Sequence, residues 1–280
     1  MQAERFVDYM FYPYLPRGPI EGKLRSGDIL TKALQILRVD PRHFELLAAL
    51  RRRFGSDRTI WALKKREAEI SLELYFYNYG REDPEIVPSR VLETMRPWLG
   101  SSPEFARRCD DMRYFLFSVD VDDARLRSGA IDGLHVYVHD VADRATGISY
   151  FVDERNRVLE NHYAFYRPDR ELEDLQVKIH DTVHVDFRRV PIERVLLPEL
   201  VGCKTVCSAR KLRSDSVYFS GLGIDQFRFF LERFAYPAEL QAWVKAERDR
   251  LDHLEYDVGM DYTSSGDTLS MSKTSFDGSY

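Results

Sequence analysis

From residue 69 to 77 the chain alternates strictly. Ile70, Leu72, Leu74 and Phe76 fall on one side, and Glu69, Ser71, Glu73, Tyr75 and Tyr77 on the other. A period of two is the mark of a β-strand with one buried face. The pattern returns three times. Leu134, Val136 and Val138 oppose His135, Tyr137 and His139. Val217 and Phe219 oppose Ser216, Tyr218 and Ser220. Leu254, Tyr256, Val258 and Met260 oppose Glu255, Asp257, Gly259 and Asp261.

Extending this reading gives strands in pairs: 58–66 with 68–79, 112–121 with 132–140, 147–153 with 157–166, 203–211 with 215–221, and 252–262 with 267–276. Turn-forming residues separate several partners, among them Asp153-Glu154-Arg155-Asn156 and Ser264-Ser265-Gly266-Asp267. Helical spacing covers 29–53, interrupted at Asp40-Pro41, where Asp40 suits an N-cap and Pro41 a first helical residue. Arg51, Arg52 and Arg53 fall in the last turn, complementing the negative helix end. Further helices are expected at 87–99, 224–234 and 238–250, and a helix or irregular crossover at roughly 170–200. Residues 1–28, with three prolines and three glycines, read as an irregular arm.

Five hairpins pair antiparallel, and the intervening helices must cover their aliphatic face. The polar face is rich in tyrosine. An open sheet would turn that face to bulk water; a closed barrel would wrap it around a wet lumen. A plain solvent face would carry more Lys and Glu, and closure removes unpaired edges. The expected fold is therefore α+β: a ten-stranded antiparallel β-barrel surrounded by α-helices, one domain over 1–280. About eight strands leave an interior that side chains just fill, so ten leave a cavity.

Composition narrows the function. Of 280 residues 44% are hydrophobic and 31% charged, which excludes intrinsic disorder. A net charge of −5 argues against a general nucleic-acid binder. No apolar run approaches the roughly 20 residues of a membrane-spanning helix, and the first residues lack the basic-then-apolar order of a secretory signal. Three cysteines make no disulfide framework. A cytoplasmic protein follows as the expectation. Neither a GxGxxG nor a GxxxxGK[ST] loop is present, and no GxSxG elbow. Cys203 and Cys207 read as small strand residues rather than zinc ligands, and the alternation around His180 and His184 reads as extended rather than as a shared helical face.

Several segments resemble those of cyanobactin-type peptide prenyltransferases, whose fold is the αββα prenyltransferase barrel. The fullest is Gly147-Ile148-Ser149-Tyr150-Phe151-Val152-Asp153-Glu154-Arg155-Asn156-Arg157-Val158, which is similar to that family's hairpin ending in DGRS. Leu134–His139, following Ser118-Val119-Asp120-Val121, resembles the strand whose alternate basic side chains hold a diphosphate. Residues 58–77 and 203–221 fit by position and pattern.

The resemblance implies transfer of a prenyl group from an allylic diphosphate to a side chain of a ribosomally made, often macrocyclic peptide, usually with Mg²⁺. It assigns diphosphate binding to His135 and His139, with Lys64, Lys204 and Arg210 as further cations. Tyr75, Tyr77, Tyr137, Tyr163 and Tyr218 would shield the allylic cation. Glu73 would take the acceptor's proton. Glu255, Asp257 and Asp261 would bind the acceptor, and such an excess of acid suits a cationic one, an arginine before tyrosine, tryptophan or histidine. Lys273 is expected to be exposed. Against this stands a second class, a catalytically eroded barrel that holds a peptide or protein, and a third, a small-molecule aromatic prenyltransferase. The same residues also admit solvent-facing histidines, packing tyrosines and ion-paired carboxylates.

Overall fold

Alternation is what the chain builds its wall from. In the computed structural model, which describes residues 8–10, 12–16, 18–55, 58–67, 69–139 and 146–279, ten strands close into one antiparallel barrel. Two further strands, β1 (Asp8–Met10) and β2 (Tyr12–Tyr14), form a small hairpin in the segment expected to be irregular. The barrel strands are β3 (Ile60–Arg66), β4 (Glu69–Tyr77), β5 (Leu116–Val121), β6 (Leu134–His139), β7 (Thr146–Val152), β8 (Arg157–Tyr166), β9 (Thr205–Lys211), β10 (Asp215–Leu222), β11 (Tyr256–Ser265) and β12 (Thr268–Ser279). Each pairs with the next in sequence, and β12 returns to β3 to close the wall.

Among the described residues nine α-helices lie outside: α1 (Ser26–Leu37), α2 (Arg42–Phe54), α3 (Pro88–Met95), α4 (Pro103–Asp110), α5 (Asp123–Ser128), α6 (Pro168–His180), α7 (Ile224–Arg233), α8 (Ala238–Ala246) and α9 (Arg248–Leu251). The aliphatic strand faces pack under them. Leu72, Leu74 and Phe76 on β4 join Leu30 and Leu34 of α1 and Leu47 and Leu50 of α2 in one buried cluster. At the start of α2, Pro41 takes helical angles (φ −53, ψ −25) and an Asp40 carboxylate oxygen accepts the Arg42 N–H at 3.0 Å.

Three local expectations are corrected. The stretch through His180 is helical, not extended, because Leu175 and Ile179 bury on one side of α6. His184 lies beyond that helix and its Nε2 donates to the Lys211 carbonyl at 3.0 Å, so the two histidines share no face. Cys203 precedes β9 instead of lying in it, and residues 252–255 precede β11.

Register sets the interior. Strands in a barrel tilt, so side chains at one height come from alternate strands. Tyr75 pairs with Ser118, and Ser118 with His135; Tyr137, two residues on, returns to the height of Tyr75. The same two-residue slip repeats around the wall through Ser149 and Asn161, Ala209 and Ser216, Gly259 and Ser275. One layer therefore holds Tyr75, Tyr137, Tyr163, Tyr218 and Asp277, contributed by β4, β6, β8, β10 and β12. The next, toward the β3–β4 turn, holds small residues: Ala62, Ser118, Ser149, Ala209 and Gly259. Beyond it lie Glu73, His135, Asn161, Ser216 and Ser275, and then Lys64, Asp120, Phe151, Lys211 and Asp261.

Candidate functional site

A cavity of about 820 Å³ runs through the barrel, bounded by the tyrosine belt and by charged side chains nearer the β3–β4 turn. Neighbouring belt rings sit close, Tyr75 to Tyr137 at 6.3 Å and Tyr137 to Tyr163 at 5.9 Å between centroids. Gly259 gives Tyr218 its place: a Cβ there would lie 2.3 Å from the Tyr218 ring and 3.1 Å from Ser275 Oγ. Tyr77 stands at the far mouth instead, beside Tyr79 at 5.6 Å, where His139 stacks on Phe115 at 3.8 Å.

Two charged groups face the cavity. In the first, Lys64 lies between Glu73 and Asp120, pairing with Glu73 and reaching Asp120 at 2.8 Å. Glu73 also accepts from Ser118 and, at 3.1 Å, from the Tyr137 hydroxyl. Asp120 meets His135 Nε2 at 3.3 Å, and His135 Nδ1 meets Glu160 at 2.6 Å. Burial disfavours charge on His135, but hydrogen bonds to Asp120 and Glu160 outweigh it and raise its pKa to about 9. Burial would raise Glu73, yet Lys64 beside it prevails and lowers its pKa to about 2. The chain of groups holds two cations against three carboxylates.

The second group has the reverse balance. Asp261 takes Lys211 at 2.9 Å, Lys273 at 3.1 Å and the Ser216 hydroxyl at 2.6 Å. Lys211 also stands 5.9 Å from the Tyr218 ring centroid. Against burial, the two ammonium groups hold Asp261 well below the usual carboxylate range. Burial and the neighbouring Lys211 push Lys273 below its ordinary value. Two ammonium groups share one carboxylate, leaving positive charge in surplus.

The structure brings together most of the residues singled out in the sequence and sets others aside. Glu73, His135, His139, Lys64, Asp257, Asp261 and all five tyrosines line the cavity. Lys204, Arg210 and Glu255 do not. Lys204 pairs with Glu255 at 2.6 Å. Arg210 points outward, where it pairs with Asp215 and donates to the Lys178 carbonyl of α6. The physical reason is parity: on β9 the residues facing inward are Cys207 and Lys211, so Arg210 must face out. Lys273, expected to be exposed, is 8% exposed and lies inside. Sequence reading missed Asp120, Lys211 and Asp277. Asp120 alternates with Val119 and Val121, a signal that was available.

Glu73, Asp120 and His135 bring ligand-type atoms within 4.8 Å of one another. They do not fit Mg²⁺. The Lys64 ammonium already bridges both carboxylates, and both ring nitrogens of His135 are committed to carboxylates. Mg²⁺ requires near-octahedral oxygen ligands and keeps several waters.

No helix among the described residues is long and apolar enough to cross a membrane. No protein-family model matches the chain, and no curated protein matches it.

Proposed function

We propose that the lumen is the chamber of a prenyl-transferring enzyme that takes an allylic diphosphate as donor and a peptide side chain as acceptor. The observation that carries this reading is the Lys211–Asp261–Lys273 group, a buried positive surplus beside a belt of four tyrosines. The diphosphate goes to Lys211 and Lys273, in place of Lys204, which pairs with Glu255, and the outward-facing Arg210. Lys64 stands in the same layer as Lys211, and His135 in the one next to it.

In this reading the allylic C–O bond breaks and its electron pair leaves with the diphosphate, whose growing charge the ammonium groups stabilise. The allylic cation forms over Tyr75, Tyr137, Tyr163 and Tyr218, whose ring faces lower its energy. The acceptor's lone pair closes the new bond, and its proton passes to a lumen carboxylate. Glu73, with its pKa near 2, is a weak base while Lys64 holds it. A diphosphate that draws Lys64 away restores its basicity. No step is routed through Mg²⁺.

The test is calorimetry with dimethylallyl and geranyl S-thiolodiphosphate. Binding should fall at least about tenfold in Lys273→Met, the weight of one charge-assisted hydrogen bond. Equal affinity in the variant would remove the diphosphate site. A second reading, a peptide-binding module, draws on a specific observation: Lys64, Lys211 and Lys273 each already hold a carboxylate, so an anion must compete for them. Mass spectrometry on matched peptides containing Arg, Tyr, Trp or His separates the two. Prenylated product supports transfer; tight peptide binding without product, donor present, supports the module.

A further inference from the structure

Four of the five positions in the belt are tyrosines, and the fifth is an acid. Asp277 pairs in register with Ala62 of β3 and with Asp257 of β11, and it lines the cavity. Its Oδ1 is closed to solvent and has no hydrogen-bond partner among the described residues. Leaving a buried acceptor unmet costs free energy, on the order of 1–3 kcal/mol. Asp257, one layer further toward the far mouth, accepts from Ser220 and from the Gly221 N–H at 3.3 Å. Every Lys and Arg among the described lining residues (Lys64, Arg66, Lys211, Arg213 and Lys273) lies on the other side of the small-residue layer. An unmet carboxyl, a second carboxylate beside it and four aromatic faces around it make a receptor for positive charge.

We infer that Asp277 and Asp257 bind one guanidinium or ammonium group of a ligand in the plane of the tyrosine belt. Naming that ligand as the acceptor rests on the reading above; the cation site itself does not.

The exchange balances. Asp277 is faced by Asp257 on β11, by Glu73 and Tyr75 on β4, by Lys64 on β3 and by Lys273 on its own strand. Burial first, then Asp257 and Glu73, raise its pKa well above the ordinary carboxylate value against the pull of the two lysines. Burial and the neighbouring carboxylates thus favour the protonated form of the acid. A cation that docks against it favours the carboxylate, so the O–H proton goes to solvent as the ligand's charge enters, and the charge of the site is conserved.

The experiment is titration calorimetry of n-butylguanidinium at pH 7 in phosphate and in MOPS, whose ionisation heats differ. The neutral isostere n-butylurea is the control. Binding of the guanidinium with net proton release is expected, from the linkage between protonation and binding. Asp277→Asn should abolish the release and weaken binding at least about tenfold, while n-butylurea binds wild type and variant alike. Asp257→Asn should weaken the guanidinium as well. No binding of n-butylguanidinium, binding without proton release, or full affinity in Asp277→Asn would each overturn the inference. Wild-type release alone tests it should a variant fail to fold. Guanidinium binding with no thiolodiphosphate binding would sink the transferase reading and leave this site standing; the converse would sink this site alone.

Discussion

Glu73 and Asp277 both pair with Ala62, one from each side, and both face the lumen. Glu73 lies in the layer next to Lys64 and accepts from Lys64, Ser118 and Tyr137. Asp277 lies in the tyrosine belt beside Asp257, and no donor among the described residues reaches its Oδ1. Burial pushes both carboxyls toward the neutral form. In Glu73 a buried ammonium reverses that push, and in Asp277 a second carboxyl adds to it. The direction in which a lumen acid's pKa moves is thus decided by which layer its register assigns it to: down beside Lys64 for Glu73, up in the belt for Asp277.

The largest test of this contrast removes the ammonium. Lys64→Met should strand Glu73 as an uncompensated buried charge, leave Asp120 to His135 alone, and cost about 3–5 kcal/mol, read by denaturant unfolding at pH 7. A loss within error of zero would mean that the carboxylates are hydrated without Lys64. The next alters the belt itself. Gly259→Ala places a methyl against the Tyr218 ring, and the overpacking should cost about 1–3 kcal/mol while narrowing the cavity. A crystal structure with Tyr218 unmoved would contradict the tight approach.

A smaller effect appears in the pH dependence of stability. His135 has a folded pKa of about 9 against an ordinary 6.5. Its contribution is fully present below about pH 6.5 and is lost as pH rises through 9. His135→Gln should flatten the stability profile across that window, and an unchanged slope would show the imidazole to be neutral. The last has the opposite sign: Asp277→Asn should stabilise the fold at neutral pH, because the raised folded pKa makes the acid costly wherever the unfolded chain is ionised. Because the folded pKa of Asp277 is raised, its contribution is present below the ordinary carboxylate value of 3.8 and declines as pH climbs toward the folded value. The variant should remove that decline. A destabilisation as large as that of Lys64→Met would erase the distinction between the two layers.

Much of the wall was legible in the sequence because alternation survives in β4, β6, β10 and β11, whose inner face carries the polar residues and the lumen tyrosines and whose outer face is mostly apolar. It was less legible where that contrast fades. In β9, Thr-Val-Cys-Ser-Ala-Arg-Lys, small residues occupy both faces, so Arg210 and Lys211 could not be told apart without the partner strand. In β12 a register shift against Asp261 and Tyr262 interrupts the period near Ser272, which hides the inward turn of Lys273. Asp277 was missed for a different reason. Its layer is assembled from five strands, and no local spacing encodes membership of it. The layer's four tyrosines were found singly, as shielding residues, without the ring they form.

The seam between β3 and β12 has a kinetic consequence. The Trp61 indole donates to the Ser279 carbonyl across 218 positions of sequence, and Ser26 fastens the same carbonyl from α1. Nearly all other barrel ladders join strands close in the chain, so they can form early and locally. The closing ladder must instead bring distant segments together, which is the slow kind of contact in folding. Until it forms, β3 and β12 are both free edges, able to pair with the same edges of another molecule. The last rung laid down is therefore the one that separates a lumen from an open sheet and a monomer from a strand-swapped aggregate.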